Sequence, residues 1–148
     1  MNKRNFLKNV ATIVACFAVC FLTSCSGGNI IDDLTGGSSI KLSPPAWIQG
    51  SWGEEGIVAY KFTSNDIFLG STSFKTIFQS VVTVSYTCKE TKQDALYEVK
   101  ITQKVSGKEI AAATYSFKKG DGSYIEAASV DGDDAISSSD YVRFYKLN

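Results

Sequence analysis

The sequence predicts an all-β protein: a small antiparallel up-and-down barrel of seven or eight strands with one short helix. Two observations support this prediction. Most of residues 45–148 alternates apolar and polar side chains with period two, which is the pattern of half-buried strands. The alternating segments are short and are separated by turn residues, and closure into a barrel would remove the free edges of the sheet.

Residues 1–24 have the features of a bacterial export signal. Lys3, Arg4 and Lys8 form a basic N-terminal region, and the apolar stretch Val10–Leu22 follows it. This stretch has the length of a signal-peptide core, and it is shorter than the about 20 apolar residues that a membrane-spanning helix needs. We therefore interpret residues 1–24 as a signal peptide that is removed from the mature protein.

A short motif ends this segment. Leu22-Thr23-Ser24-Cys25 resembles the bacterial lipobox, in which the cysteine is diacylated and becomes the first residue of the mature protein. The resemblance implies lipidation of Cys25 with acyl chains such as palmitate, and so attachment to a membrane through a lipid anchor. Ser26 stands where Asp retains lipoproteins in the inner membrane, so the outer membrane of the cell envelope is expected, on either its periplasmic or its external face. An ordinary signal peptide with an incidental cysteine is the alternative.

Residues 25–44 are predicted to form a flexible tether that begins with the lipidated cysteine. The segment is rich in Gly, Ser and Asp and has no sustained hydrophobic period. Pro44-Pro45 stiffens its end, since proline restricts the backbone of both residues. The folded domain is therefore placed at residues 45–148, which is long enough for one domain.

Strand patterns recur along the whole domain. The clearest is Leu96–Val105, in which Tyr97 and Ile101 share an apolar face and charged or polar residues form the other. Ser106-Gly107-Lys108 then predicts a tight hairpin, and Gly120-Asp121-Gly122 predicts another turn. The other predicted strands are Ile57–Thr63, Ile67–Leu69, Val82–Cys88, Ala111–Phe117, Tyr124–Val130 and Tyr141–Tyr145.

One segment has helical spacing. Phe74, Ile77, Phe78 and Val81 fall at positions i, i+3, i+4 and i+7, which places them on one face of a helix. Ser71-Thr72-Ser73 immediately before them offers side-chain oxygens for the N-cap. We predict a short helix that lies over the sheet or over a barrel mouth. A strand through the same residues is the alternative.

The start of the domain contains Gly50-Ser51-Trp52, which resembles the Gly-x-Trp signature of lipocalins and their bacterial lipocalin-like relatives. In that family the tryptophan packs across one end of the barrel, and an arginine from the last strand covers it. Arg143 lies in the last predicted strand, so the resemblance implies that Arg143 stacks on Trp52. Alternation places Arg143 with Tyr141 and Tyr145, and a solvent-facing position is the alternative. The domain is shorter than a typical lipocalin and lacks the family's central Asp-Tyr motif.

The resemblance implies a membrane-anchored, lipocalin-like lipoprotein that binds a small apolar ligand inside its barrel. The inward faces of the predicted strands supply the candidate cavity walls. These are Tyr60, Phe62, Tyr86, Tyr97, Ile101, Tyr115 and Phe117. The same pattern describes a small barrel filled by its own side chains. The alternative is therefore a protein-interaction module with a filled core, such as an envelope enzyme inhibitor or a surface antigen.

Composition argues against several classes of function. The chain has no histidine, and only Cys88 is left after removal of the signal peptide and acylation of Cys25, so catalytic pairs and zinc sites that need His or several Cys are excluded. We expect no enzyme activity and no cofactor. Asp131-Gly132-Asp133-Asp134 fails the spacing of an EF-hand calcium loop, so no metal is expected.

The charge of the mature chain argues against nucleic acid as a partner. Removal of residues 1–24 takes away three of the 15 basic residues and none of the 15 acidic ones, which leaves 12 against 15 and a net charge of −3. Proteins that bind nucleic acid neutralise phosphates with a basic stripe, and no such stripe is present in the sequence. Partners are therefore expected among membranes, small apolar molecules or other proteins.

Overall fold

Nine antiparallel strands make up most of the structure, a computed structural model that describes residues 39–81 and 83–148. In chain order the strands are β1 Gly50–Glu54, β2 Ile57–Phe62, β3 Ile67–Leu69, β4 Thr72–Ser73, β5 Val84–Lys92, β6 Leu96–Val105, β7 Lys108–Lys119, β8 Tyr124–Asp131 and β9 Val142–Leu147. The helix α1, Phe74–Ile77, lies between β4 and β5, and 3-10 turns occupy Ala46–Ile48 and Ser138–Asp140.

All nine strands belong to one curled sheet with the order β4-β3-β2-β1-β9-β8-β7-β6-β5. β1 pairs with both β2 and β9, so the first and last strands meet at the centre of the sheet. Among the described residues the sheet is an open half-barrel, because its edge strands β4 and β5 do not pair with each other. The all-β prediction is confirmed, whereas the predicted closed barrel of seven or eight strands is wrong.

The sheet stays open because the chain stops forming strand pairs after β4. This strand has only two residues, and its second residue, Ser73, is also the N-cap of α1. The Ser73 Oγ accepts a hydrogen bond from the backbone N of Lys75 at 3.1 Å. A strand this short offers few backbone groups to the nine-residue β5. α1 therefore lies over the sheet in place of a further strand, and Phe74 and Phe78 are each 1% exposed.

Residues 39–44, which we call the strap, pack along the gap between the edge strands β4 and β5. Ser39 forms a β-bridge with Gln79, just after α1, and Ile40 and Leu42 belong to the buried core. The strap was predicted as the last part of the tether, but its apolar side chains make it part of the folded domain. The predicted signal peptide, Cys25 and residues 25–38 lie outside the described residues.

The alternation of side chains decides which face of the sheet is buried. In β6 the side chains of Tyr97, Val99 and Ile101 are fully buried, and the residues between them are partly exposed. Register places Tyr97 opposite Phe117, so neighbouring strands bury the same face. We call this buried face concave and the other face convex. The predicted bounds Leu96–Val105 agree with the structure at both ends.

Two hairpins use turns that match the twist of their strands. Glu55 and Gly56 between β1 and β2 have φ values of 53° and 79°, and Ser106 and Gly107 between β6 and β7 have 49° and 81°. Positive φ at both central positions is the type I′ geometry of two-residue hairpins. The hairpin predicted at Ser106-Gly107-Lys108 is therefore confirmed.

Three elements differ from the sequence-based prediction: β1, β4 and the end of α1. β1 was not predicted as a strand, because it contains two glycines and a register shift that interrupts the alternation. α1 starts after Ser73 as predicted, but it ends at Ile77 with Phe78 as its C-cap. Val81 does not continue the helical face, since it lies beyond this cap and is 45% exposed.

Gly53 lies at the register shift in β1. A Cβ atom on this residue would lie 1.8 Å from the backbone O of Ile57 and 3.0 Å from Cδ1 of Leu147. The first distance is about half of an ordinary van der Waals contact, so a side chain at this position requires the backbones of β1 and β2 to separate. Glycine is therefore needed here for close approach of two strands.

We expect Gly53→Ala to lower the free energy of unfolding by about 3 kcal/mol or more, because the new methyl group clashes with backbone. The matched control is Gly56→Ala, where an added Cβ meets nothing within 4 Å and only the positive φ is unfavourable. The control should cost about 1–2 kcal/mol. Urea unfolding followed by tryptophan fluorescence measures both, and equal losses would contradict this role for Gly53.

Candidate functional site

The side chains predicted to line a cavity lie together on the concave face. All seven are buried, with exposures between 0 and 7%: Tyr60, Phe62, Tyr86, Tyr97, Ile101, Tyr115 and Phe117. Phe117 is at the centre of this cluster. Its ring centroid lies 4.9 Å from that of Phe62, 5.2 Å from that of Tyr60 and 6.1 Å from that of Tyr97. These distances are those of aromatic rings in direct contact.

The helix α1 and its C-cap residue Phe78 add two more rings to this cluster. Phe74 contacts Tyr115 with ring centroids 5.0 Å apart, and Phe78 contacts Tyr86 at 5.6 Å. The Tyr86 hydroxyl also accepts a hydrogen bond from Nε2 of the buried Gln103 at 3.3 Å. α1 and its C-cap residue therefore cover aromatic side chains of β7 and β5 with aromatic rings of their own.

The three residues of the lipocalin signature are not brought together as the resemblance implied. Trp52 is buried, and its indole N donates a hydrogen bond to the backbone O of Ile48 at 2.6 Å. Within the described residues, Lys146 is the cation over its ring, with Nζ 5.6 Å from the ring centroid, and Gly50 also faces this lysine side chain. Arg143 does not cover Trp52, because alternation in β9 places its side chain on the convex face. The solvent-facing alternative for Arg143 is the one observed.

A polar cluster joins the strap to the edge of the sheet. The carboxylate of Glu90 on β5 accepts hydrogen bonds from Ser43 N at 2.9 Å, from Ser43 Oγ at 3.1 Å and from the Tyr97 hydroxyl at 2.5 Å. Lys92 Nζ donates to Ser43 Oγ and lies 3.3 Å from Glu90 Oε2. Glu90 thus connects the strap to both β5 and β6.

The environment of Glu90 favours its charged form. Partial burial raises the pKa of a carboxyl group, but hydrogen bonds from Tyr97, Ser43 and Lys92 stabilise the carboxylate, and the pKa of Glu90 is lowered. Burial, followed by the nearby Glu90 carboxylate, raises the pKa of Tyr97 well above its usual range. At neutral pH the phenol therefore stays protonated and donates to a charged acceptor.

Cys88 lies on β5 and packs at the border of the core. Burial is the main cause that raises the pKa of this thiol to about 11, and the charge of Glu90 adds to it. A thiol with this pKa is almost fully protonated at neutral pH and is a weak nucleophile. Cys88 therefore has the properties of a packing residue.

A second group of aromatic and charged side chains lies on the convex face, at the centre of the sheet. Tyr145 on β9 pairs with Tyr124 on β8, and their ring centroids are 6.4 Å apart. The guanidinium carbon of Arg143 lies 4.0 Å from the Tyr124 ring centroid, and its Nη2 donates to Glu126 Oε1 at 3.1 Å. Tyr145 and the Arg143 side chain are each 49% exposed, so both are accessible to a partner.

Lys61 on β2 and Phe68 on β3 lie on the other side of the same area. These residues pair across the strands, and Lys61 Nζ lies 5.7 Å from the Phe68 ring centroid. The small residues Ser51 and Gly53 of β1 lie between the two groups, opposite Lys61 and Tyr145 respectively. We call the surface formed by Lys61, Phe68, Tyr124, Arg143 and Tyr145 the convex platform.

Comparisons with protein-family models, with curated proteins and with solved structures find no match. Within residues 39–81 and 83–148, no helix is long and apolar enough to cross a membrane. Function is therefore inferred from the geometry of the domain together with the signals in the sequence.

The sequence carried a signal for the strap that our prediction missed. Ser39, Lys41 and Ser43 alternate with Ile40 and Leu42, which is the period-two pattern used elsewhere to find half-buried segments. The Gly- and Ser-rich residues before it obscured this short stretch. No signal in the sequence joins the strap to Glu90, which lies 47 residues after Ser43.

We expect Glu90→Gln to lower the free energy of unfolding at pH 7 by about 1–2 kcal/mol, because the charged acceptor of several hydrogen bonds is lost. The pKa of Glu90 is lowered by folding, so its stabilising effect is complete above the unfolded pKa of about 4.3 and is lost as pH falls through the folded value. As the pH is lowered from about 5 through the titration of Glu90, the free energy of unfolding of the variant should therefore fall less than that of the parent.

Urea unfolding at a series of pH values measures both effects. Glu109→Gln is the matched control, because Glu109 is an exposed carboxylate with one ion pair, to Lys104 at 3.6 Å. This control should stay within about 0.5 kcal/mol of the parent at every pH. An unchanged acid slope in Glu90→Gln would contradict the assigned role of the carboxylate.

Proposed function

We propose that the protein is a lipid-anchored lipoprotein of the bacterial cell envelope whose folded domain is a protein-interaction module with a filled core. The lipobox-like segment Leu22–Cys25 and the basic, apolar segment before it support the anchor and the compartment. Ser26 after the cysteine supports the outer membrane as the destination. The observation that favours an interaction module over a ligand carrier is the packing around Phe117.

The concave face supports this choice because its large side chains are already in contact with one another. Phe117 contacts three aromatic rings from β2 and β6, and α1 adds Phe74 and Phe78 on the open side. The strap adds Ile40 and Leu42 to the same core. The side chains of the sheet, of α1 and of the strap thus fill the core of this small half-barrel. We therefore place its binding surface on the convex face.

The convex face provides that chemistry. Tyrosine and arginine are enriched in protein interfaces and are frequent among the residues that dominate binding energy. Tyr145 and Arg143 are both half-exposed at the centre of the sheet, where the backbone is held by strands on either side. A rigid, exposed surface with these residues fits recognition of another protein.

We propose no catalytic role and no cofactor for this chain. The sequence contains no histidine, and the one cysteine of the domain, Cys88, has a raised pKa that suppresses its thiolate. Acidic and basic side chains such as Asp133 and Lys100 pair with each other on the surface, at 2.6 Å in this case. These groups are arranged as surface ion pairs.

We expect Cys25→Ala to abolish incorporation of radiolabelled palmitate and to leave the precursor uncleaved, because the thiol is the acceptor of the lipid. Cys88→Ala is the matched control and should be labelled and cleaved like the parent. Gel mobility and fluorography of the immunoprecipitated protein measure both properties. Normal cleavage of Cys25→Ala without any labelling of the parent would indicate an ordinary signal peptide.

We expect the chain that begins at Ser26 to show no saturable binding of the apolar dye N-phenylnaphthylamine. Phe117→Ala should bind the dye, because truncation of a buried ring leaves an apolar cavity, and it should lose about 3–5 kcal/mol of stability. Fluorescence titration measures binding, and circular dichroism verifies that the variant is folded. Saturable binding by the parent, or an apolar molecule that is extracted from the purified protein, would favour the ligand-carrier alternative.

A further inference from the structure

The edge strand β5 has backbone groups that point away from the sheet. In an antiparallel sheet, successive residues of a strand direct their N–H and C=O groups to opposite sides. Tyr86 N donates to Ser80 Oγ at 3.0 Å, on the side away from β6. Val84 N donates on the same side, to Val81 O at 3.2 Å. The even-numbered residues of β5 therefore direct their backbone groups away from the sheet.

Among the described residues, no strand pairs with the second half of this edge. Its outward backbone groups belong to Cys88, Glu90 and Lys92, and they form no hydrogen bond within residues 39–81 and 83–148. The three residues present three N–H and three C=O groups, six in all. Outward groups in a row are the template to which an extended segment adds as a further strand.

The strap lies beside this edge without pairing with its backbone. Ser43 N and Oγ donate to the Glu90 carboxylate at 2.9 and 3.1 Å, and Lys92 Nζ donates to Ser43 Oγ. These contacts use the side chains of β5, and the β-bridge of the strap is made with Gln79. Pro44 and Pro45 follow Ser43 and have no backbone N–H to donate. The strap is therefore held beside β5 without the ladder of a tenth strand.

The strap shows which kind of segment fits beside β5. Ile40 and Leu42 are 4% and 5% exposed, whereas the residues that alternate with them are exposed. Apolar side chains two residues apart thus enter the core, as they do from one face of an extended segment. We call the β5 edge Cys88–Lys92, together with the core positions of Ile40 and Leu42, the strap site.

We propose that the strap site binds an extended segment of a partner protein, which replaces the strap and pairs with the backbone of Cys88, Glu90 and Lys92. The segment carries two apolar side chains two residues apart, at the positions of Ile40 and Leu42, and has no proline opposite β5. This second surface rests on the proposed interaction function and adds to the convex platform.

Backbone pairing gives such a segment an advantage over the strap. The strap is part of the same chain, so its effective concentration at the site is on the order of millimolar. A partner at micromolar concentration must therefore bind roughly a thousandfold more tightly than the strap does. Each backbone hydrogen bond raises affinity by about two- to tenfold. The six outward groups of β5 can supply this difference, and the strap leaves them unused.

A partner protein fits the site better than a second copy of this chain. The strap of a second copy would make the same contacts as the resident strap, and its prolines would prevent the same ladder bonds. Association of two chains also costs translational and rotational freedom. Exchange of straps between copies therefore gains no contact that offsets this cost.

The test uses the full mature protein in a neutral detergent, with Cys88→Ala and the pair Ser39→Cys and Gln79→Cys. Bridged residues have Cα atoms about 4.5–5.5 Å apart, which a disulfide can span, so oxidation locks the strap in place. The probe is the fluorescein-labelled peptide SIKLSTV, which is the strap segment with Thr and Val in place of its two prolines. Fluorescence anisotropy should show saturable binding to the reduced protein and at least tenfold weaker binding to the oxidised one.

Backbone methylation of the probe tests the ladder itself. Two peptides are methylated at complementary sets of alternate backbone nitrogens. Because only every second N–H of a strand faces its neighbour, one pattern should weaken binding at least tenfold and the other less than threefold. Circular dichroism of the reduced and oxidised protein verifies that both are folded.

Four outcomes would overturn this inference. They are no saturable binding to the reduced protein, equal binding to both redox forms, equal weakening by both methylation patterns, and dimerisation of the parent that the disulfide abolishes. The last outcome would assign the strap site to a second copy.

Photo-cross-linking in the envelope separates failure of the strap site from failure of the interaction function. Protein adducts from a photoreactive residue at Tyr145 on the convex platform, with none at Lys89 on β5, would retain the interaction function and exclude the strap site. Adducts at Lys89 that disappear when the strap is locked would support both. Absence of adducts at both positions would contradict both.

Discussion

The failure of the sheet to close is the constraint on which the rest of this structure depends. The concave face presents a row of aromatic side chains centred on Phe117, and burial of apolar area contributes about 25 cal/mol per Å². A closed barrel would cover this face with its own strands. Here α1 and the strap cover it, through Phe74 and Phe78 from the helix and Ile40 and Leu42 from the strap. The segment before β1 is therefore as much a part of the core as the strands are.

This arrangement gives the two faces of the sheet different surroundings. The concave side is filled, and Glu90 holds the strap to β5 by accepting hydrogen bonds from Ser43 and from Tyr97. The convex side carries exposed tyrosine, arginine and lysine around the glycine-containing β1. The convex platform lies on the opposite face of the sheet from the strap.

Local patterns in the sequence predicted the elements that depend on neighbouring residues. The predictions of β6 and of the turn after it are confirmed, because alternation and a Ser-Gly turn are properties of short segments. The N-cap at Ser73 is correct for the same reason. β1 was not predicted, because Gly53 lies at a register shift that interrupts the alternation. The close approach of the Ile57 backbone explains the glycine at this position, and the sequence alone does not show that contact. The expected stacking of Arg143 on Trp52 failed because it came from a resemblance, whereas alternation had already allowed the convex position.

The sequence by itself determined that the domain is all-β, which side chains face the core, and that histidine chemistry is absent, because these follow from residue type and from a period of two. Only the tertiary structure decided that the sheet stays open, that the strap belongs to the core, and that Lys61 and Tyr145 lie on one surface. These features join residues far apart in the chain, as Ser43 and Glu90 show with a separation of 47 residues. Which strands pair, and what covers the remaining apolar face, depends on the packing of the whole core.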